Sequence, residues 1–147
     1  MELKVKRFDE LSTEELYEIL KRRVSVFVVE QNCPYPEIDG RDEKAIHVWL
    51  QDENGILAYL RVMDRGVESE DVSIGRLLTV KRRQGLGTAI LKEGIRVAET
   101  FFHADRIYLE AQVYAKGLYE KQGFKTIGEE YLEDGIPHVN MVRAAKG

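Results

Sequence analysis

Leu77-Leu78-Thr79-Val80-Lys81-Arg82-Arg83-Gln84-Gly85-Leu86-Gly87-Thr88 is the point where the chain changes period. Before it, residues 72–80 (VSIGRLLTV) read as a strand. After it, Ile90, Leu91, Ile95, Ala98, Phe101 and Phe102 mark one face of a helix of about four turns. The strand's alternation slips at Leu77-Leu78, which a β-bulge there explains. A helix start presents unpaired N–H groups and the positive end of the helix dipole, so the turn is an anion site suited to phosphate. Gly85 and Gly87 let a ligand approach the main chain closely, and Arg82 and Arg83 add charge.

Downstream, Ile107, Leu109, Ala111 and Val113 alternate as a strand, with Tyr108, Glu110 and Gln112 on its other face. The β-α-β unit over 72–113 is expected to be parallel and right-handed. A short helix over 115–122 stops at Gly123, and strands over 124–131 and 137–143 join through Asp134-Gly135. Upstream, residues 2–8 read as a strand. Ser12 and Glu15 form a capping box before Leu16, Ile19, Leu20, Val24 and Phe27 at helical spacing. Residues 31–44 (QNCPYPEIDGRDEK) form a loop, the runs 45–51 and 56–63 form a hairpin across Asn54-Gly55, and 64–71 form a polar turn. The order β-α-β-β-β-α-β-α-β-β gives an α/β (α+β) fold: a mixed, mostly antiparallel sheet of about seven strands flanked by helices.

At 147 residues, 44% hydrophobic and 33% charged, the chain is expected to be one domain over 1–147. A net charge of -4 does not call for a nucleic-acid partner. Cys33 is the only cysteine, which leaves no internal disulfide and no metal framework. The start MELKVKRFDE has no apolar stretch of a secretory signal, and no run approaches the ~18 apolar residues of a membrane span. The expectation is a cytoplasmic protein with no membrane partner. An open sheet edge leaves a homodimer available.

The phosphate ligand is narrowed by elimination. No Lys follows Gly87, so a Walker loop is absent, and position 90 is Ile where a dinucleotide fingerprint needs glycine. What remains is [Arg/Gln]-x-x-Gly-x-[Gly/Ala], met by Arg82, Gly85 and Gly87. Alone, this pattern also fits a plain basic turn. A second run, Ala115-Lys116-Gly117-Leu118-Tyr119-Glu120-Lys121-Gln122-Gly123-Phe124, follows at the right distance. Together the two resemble the GNAT family of N-acetyltransferases. The run from Arg23 through Val26-Phe27-Val28-Val29-Glu30-Gln31, Cys33-Pro34-Tyr35, Glu37, Asp39 and Asp42 is similar to the ElaA-like branch, as is Gly135-Ile136-Pro137-His138.

The resemblance implies an acetyl-CoA-dependent N-acetyltransferase acting on an unidentified amine by direct attack, with no metal. It implies that Leu78, Thr79, Val80, Arg82, Arg83, Gln84, Gly85, Leu86, Gly87, Thr88, Gln112 and Tyr119 contact the coenzyme. Leu78 would supply the oxyanion N–H, and Val80 would pair with the pantetheine amide. Gln112 departs from the Asn that many members carry there. Tyr119 is the expected acid for the leaving thiolate. A base must deprotonate the amine, whose reference pKa is near ~10.4. Glu110 is the first candidate, with Glu30 and His138 as alternatives. Gln31, Tyr35 and Asp39, with Glu30 and His138, are the expected acceptor-site residues. The acidic loop from Glu30 to Glu43 could attract a cationic amine, or simply be solvated. A non-catalytic acyl-CoA sensor, a transferase with another acyl donor or acceptor, and an inactive dimerising domain remain as rivals.

Overall fold

The computed structural model describes residues 1–80 and 85–145. Its strands are β1 (Glu2–Arg7), β2 (Ala45–Asp52), β3 (Gly55–Met63), β4 (Val72–Thr79), β5 (Arg106–Gln112), β6 (Lys125–Glu133) and β7 (Ile136–Ala144). Its α-helices are α1 (Thr13–Arg23), α2 (Leu86–Phe102) and α3 (Lys116–Glu120). The seven strands form one sheet in the order β1-β2-β3-β4-β5-β7-β6. Only β4 and β5 pair in parallel; every other neighbouring pair is antiparallel.

Alternation sorts the sheet's side chains between two layers. Ile46, Val48, Leu60, Val62 and Ile74 face α2, whose Ile90, Leu91, Ile95 and Val97 complete the larger core. Trp49, Ile56, Tyr59 and Leu78 point the other way, onto Ile19 of α1. Gly94 brings α2 close to the sheet: a Cβ there would lie 2.7 Å from a Leu60 methyl. Helix α1 opens on the expected capping box, with the Ser12 hydroxyl accepting from the Glu15 amide at 3.0 Å. Its winding then loosens into a π-helical stretch, Val24–Glu30, where the Gln31 and Cys33 amides donate to carbonyls five residues back.

Two features of β4 shape the cleft. Pairing with β5 stops after Val72 with Ile107 and Ser73 with Tyr108, so the two strands diverge beyond that point. A bulge interrupts pairing with β3: Gly75 faces Arg61 and Leu78 faces Tyr59, leaving Arg76 and Leu77 opposite Leu60 alone. The bulge therefore lies one residue earlier than Leu77-Leu78. Arg76 has a positive φ of 54°, and its guanidinium bonds Glu37.

The N–H directions along β4 shift accordingly. The Val80 amide donates to the Leu57 carbonyl at 2.8 Å. Residues two apart on an antiparallel strand aim the same way, so Leu78 also turns its N–H toward β3. Thr79, between them, aims its N–H away from β3, at the divergence. This corrects the expectation that Leu78 and Val80 offer free amides: the bulge sets the phase, and these two are spent on the ladder.

Candidate active site

Between the diverging strands lies a cleft of about 690 Å³. It is bounded at one end by the start of α2. The first intrahelical bond there runs from the Ala89 amide to the Gly85 carbonyl, 3.1 Å, so the amides of Leu86, Gly87 and Thr88 precede the ladder. The N-cap is Gly85, at φ 70°, and it brings no capping side chain. Among the described residues, a Cβ on Gly85 would meet nothing within 4 Å. A Cβ on Gly87 would sit in ordinary contact, 3.4 Å from Leu118 on α3. Arg82, Arg83 and Gln84 lie outside the described residues.

Tyr119 lines the cleft from α3, 9% exposed, with its ring edge-on to Phe124 at 6.1 Å. Burial, and then the neighbouring Tyr114, push its hydroxyl up to about 12. Gln112, at the end of β5, exchanges amide hydrogen bonds with Gln31: each donates to the other's carbonyl oxygen, at 3.1 and 3.4 Å. The longer Gln side chain thus reaches across to the loop that follows the π-helical stretch.

That loop, 31–44, is held by ion pairs. Glu37 is 3% exposed and accepts from Arg23 Nε and Arg76 Nε, both at 2.7 Å, and from the Tyr35 hydroxyl. Asp42 accepts from Arg23 and from Arg61 Nη1 at 2.9 Å. Asp39 accepts from both terminal nitrogens of Arg61 and from the Arg41 amide. Burial alone would raise the Asp39 carboxyl, but Arg61's hydrogen bonds and charge, with help from Arg41 and Arg76, hold it far below the usual range. Burial and the Glu37 carboxylate push Tyr35 upward, and Arg76 lies over its ring at 5.7 Å. The expectation of an acidic loop open to a cationic amine is corrected here. Glu37, Asp39 and Asp42 are buried or half-buried and committed to arginines that the sequence spacing gave no reason to bring there.

The opposite wall carries other polar groups. Glu110 lies exposed on β5, accepts from the Tyr108 hydroxyl at 3.0 Å and faces Asn140 in register. Tyr131 donates to Asn140 at 2.6 Å and stacks on His138 at 5.9 Å. His138 Nδ1 lies 2.7 Å from the Ile136 carbonyl, which can only accept, so that nitrogen carries the hydrogen. Glu68, in the β3–β4 connection, lines the same cleft and was not anticipated: a polar turn carries no sequence signal for it. Its carboxyl is raised by burial and then by the Glu110 charge, against Arg61, Arg41 and Arg76.

One cleft therefore gathers Tyr119, Glu110, Gln112, Gln31, Tyr35, Asp39, His138, Leu78, Thr79, Gly85, Leu86 and Gly87. Val80, Thr88 and Glu30 are not among its lining residues.

Comparison with known proteins agrees with this geometry. Residues 9–145 match the family model described as an acetyltransferase (GNAT) domain. Protein ElaA of Escherichia coli is 37% identical over 140 residues, covering 91% of this chain and 90% of that one. A UPF0039 protein of Mycobacterium bovis is 43% identical over 142 residues, covering 94% and 90%. The crystal structure of an acyl-CoA N-acyltransferase from Pseudomonas aeruginosa superposes with a TM-score of 0.92 at 37% identity, over 98% of this chain and 100% of that one. The crystal structure of Escherichia coli ElaA gives 0.90 at 33%, over 97% and 99%.

Proposed function

Because this chain belongs to the GNAT acetyltransferase family, in its ElaA-like branch, we propose that it moves an acetyl group from acetyl-CoA to an amine by direct attack. Acyl-CoA-dependent acyl transfer follows from the family. The acetyl donor, the amine acceptor, the residue roles and the reading of 1–147 as one catalytic unit belong to the proposal.

The observation that carries it is the divergence of β4 from β5, with a bare helix start at one end and carboxylates at the other. Amides of Leu86, Gly87 and Thr88 suit a pyrophosphate, joined in this reading by Arg82, Arg83 and Gln84. The Thr79 amide, turned away from β3, suits the pantetheine arm or the thioester oxygen, which needs a donor as it gains charge. Acetyl-CoA enters as a substrate and supplies the activated acyl group. The Tyr119 hydroxyl, at about 12, keeps its proton at neutral pH. It lies about 3.5 units above a reference thiol at ~8.5, so it serves chiefly as a hydrogen-bond donor to the departing sulfur. Glu110 is the carboxylate that meets the amine.

The test is thiol release from acetyl-CoA, set against propionyl- and succinyl-CoA, with a panel of primary amines. Amine-dependent release with acetyl-CoA preferred is the expected result. Binding without release for any amine would instead favour an acyl-CoA sensor.

A further inference from the structure

Resting on that reading, we propose that Glu68 takes the proton from the acceptor amine while Glu110 holds the incoming ammonium. Glu68 reaches over β4 just where that strand leaves β5. The position a Cβ would take on Gly75, one residue before the bulge, lies 3.7 Å from a Glu68 carboxylate oxygen. It lies 3.9 Å from Arg61 Nε, a buried nitrogen with no hydrogen-bond partner among the described residues. Glu68 is thus at the apex of the divergence, on the cleft shared with Tyr119 and Glu110.

Commitment separates it from the other carboxylates. Asp39 is bonded to Arg61 and the Arg41 amide, and a carboxylate so held cannot take up a proton without losing those bonds. Glu133 and Asp134 lie at the β6–β7 turn, on the rim. The Glu68 side chain is 21% exposed, and its carboxylate lies 3.7 Å from the guanidinium of the half-exposed Arg41. Four charges face it: Glu110 from β5, Arg61 from β3, Arg76 from β4 and Arg41 from the 31–44 loop. Burial and Glu110 outweigh the three arginines and favour the protonated form. Two carboxyls in one cleft, one half-buried and one exposed, divide into a proton acceptor and an ammonium-binding partner.

The acceptor enters as an ammonium and passes one proton to the Glu68 carboxylate. The freed lone pair forms the N–C bond, and the C–S bond breaks as the carbonyl re-forms. The second proton shed by nitrogen ends on the coenzyme sulfur, and Glu68 returns its own to solvent.

The experiment is initial-rate thiol release by wild-type protein, Glu68→Gln and Glu68→Asp, using acetyl-CoA with ethanolamine, spermidine and Nα-acetyl-lysine across neutral and mildly alkaline pH. Glu68→Gln is expected to lower kcat/KM at neutral pH by roughly 10²–10⁴-fold with the acetyl-CoA Kd unchanged. Its rate should keep climbing about tenfold per pH unit with the free-amine fraction, where wild type levels off. Glu68→Asp should recover part of the rate. Near-wild-type turnover by Glu68→Gln with an unchanged pH profile overturns the role of Glu68 alone. A loss of rate accompanied by lost acetyl-CoA binding makes Glu68 structural and also overturns it. Wild-type protein that binds acetyl-CoA but releases no thiol with any of these amines overturns both the role and the reading beneath it.

Discussion

At the α2 end the cleft is bounded by main chain: a helix start whose N-cap is a glycine, and the outward amide of Thr79 on β4. At the far end it is bounded by ionised side chains, with Arg23, Arg61 and Arg76 holding Glu37, Asp39 and Asp42 so that the 31–44 loop closes over the sheet. On the proposed function, the difference is one of what each end has to recognise. A pyrophosphate and a pantetheine arm do not vary between acyl-CoA ligands, and main-chain donors in fixed positions suit them. An acceptor varies between enzymes, and a loop pinned by replaceable side chains lets it vary without disturbing the strand where the acyl group sits.

The strongest way to break this contrast is Arg23→Ala. Removal of that guanidinium leaves Glu37 and Asp42 buried with fewer partners, at a cost of about 3–5 kcal/mol. Urea unfolding should show the loss. A variant as stable as the parent would mean that the loop is held by something else.

The same network predicts an acid limb. Asp39 and Asp42 are both depressed in the fold by their arginines, against the opposing effect of burial. Their contribution is therefore complete above the unfolded value of ~3.9 and drains away as pH falls through the lower folded values. Urea midpoints should stay flat from neutrality to about pH 5 and fall below about pH 4.

Tyr119→Phe acts where the two ends meet. The ring keeps its edge-on contact with Phe124 while the hydroxyl is lost, so turnover should fall roughly 10²-fold with acetyl-CoA affinity unchanged. An equal loss in affinity would make Tyr119 a binding residue only. The smallest expected effect belongs to the main-chain end. Gly85→Ala puts a Cβ on a residue at φ 70°, costing about 1–2 kcal/mol of backbone strain with no clash among the described residues. Thermal melts and acetyl-CoA titration together read whether the strain is borne by the fold or relieved by moving the turn.

The main-chain end was the more legible of the two in sequence. Glycine spacing and a change of period are local signals, and they located the helix start and the strand before it. The phase of the bulge was not local. Leu77-Leu78 looked like the slip, but the positive φ belongs to Arg76, whose guanidinium bonds Glu37 nearly forty positions away in the chain. Ion pairing was equally hidden. The sequence leaves Asp39 and Asp42 in a loop that could attract an amine or be solvated, because Arg61 lies in an apolar strand on the far side of a hairpin and nothing in its spacing announces the contact. Glu68 was missed for the same reason: its place at the cleft depends on how the β3–β4 connection folds over Gly75.

The first measurement to make is calorimetric titration of the protein with acetyl-CoA, alongside CoA lacking its 3′-phosphate and CoA lacking its sulfur. Saturable one-to-one binding, weakened by Gly87→Arg, is the predicted result. Absence of any heat of binding from correctly folded protein would contradict the assignment of the α2 start and the β4–β5 divergence as an acetyl-CoA site.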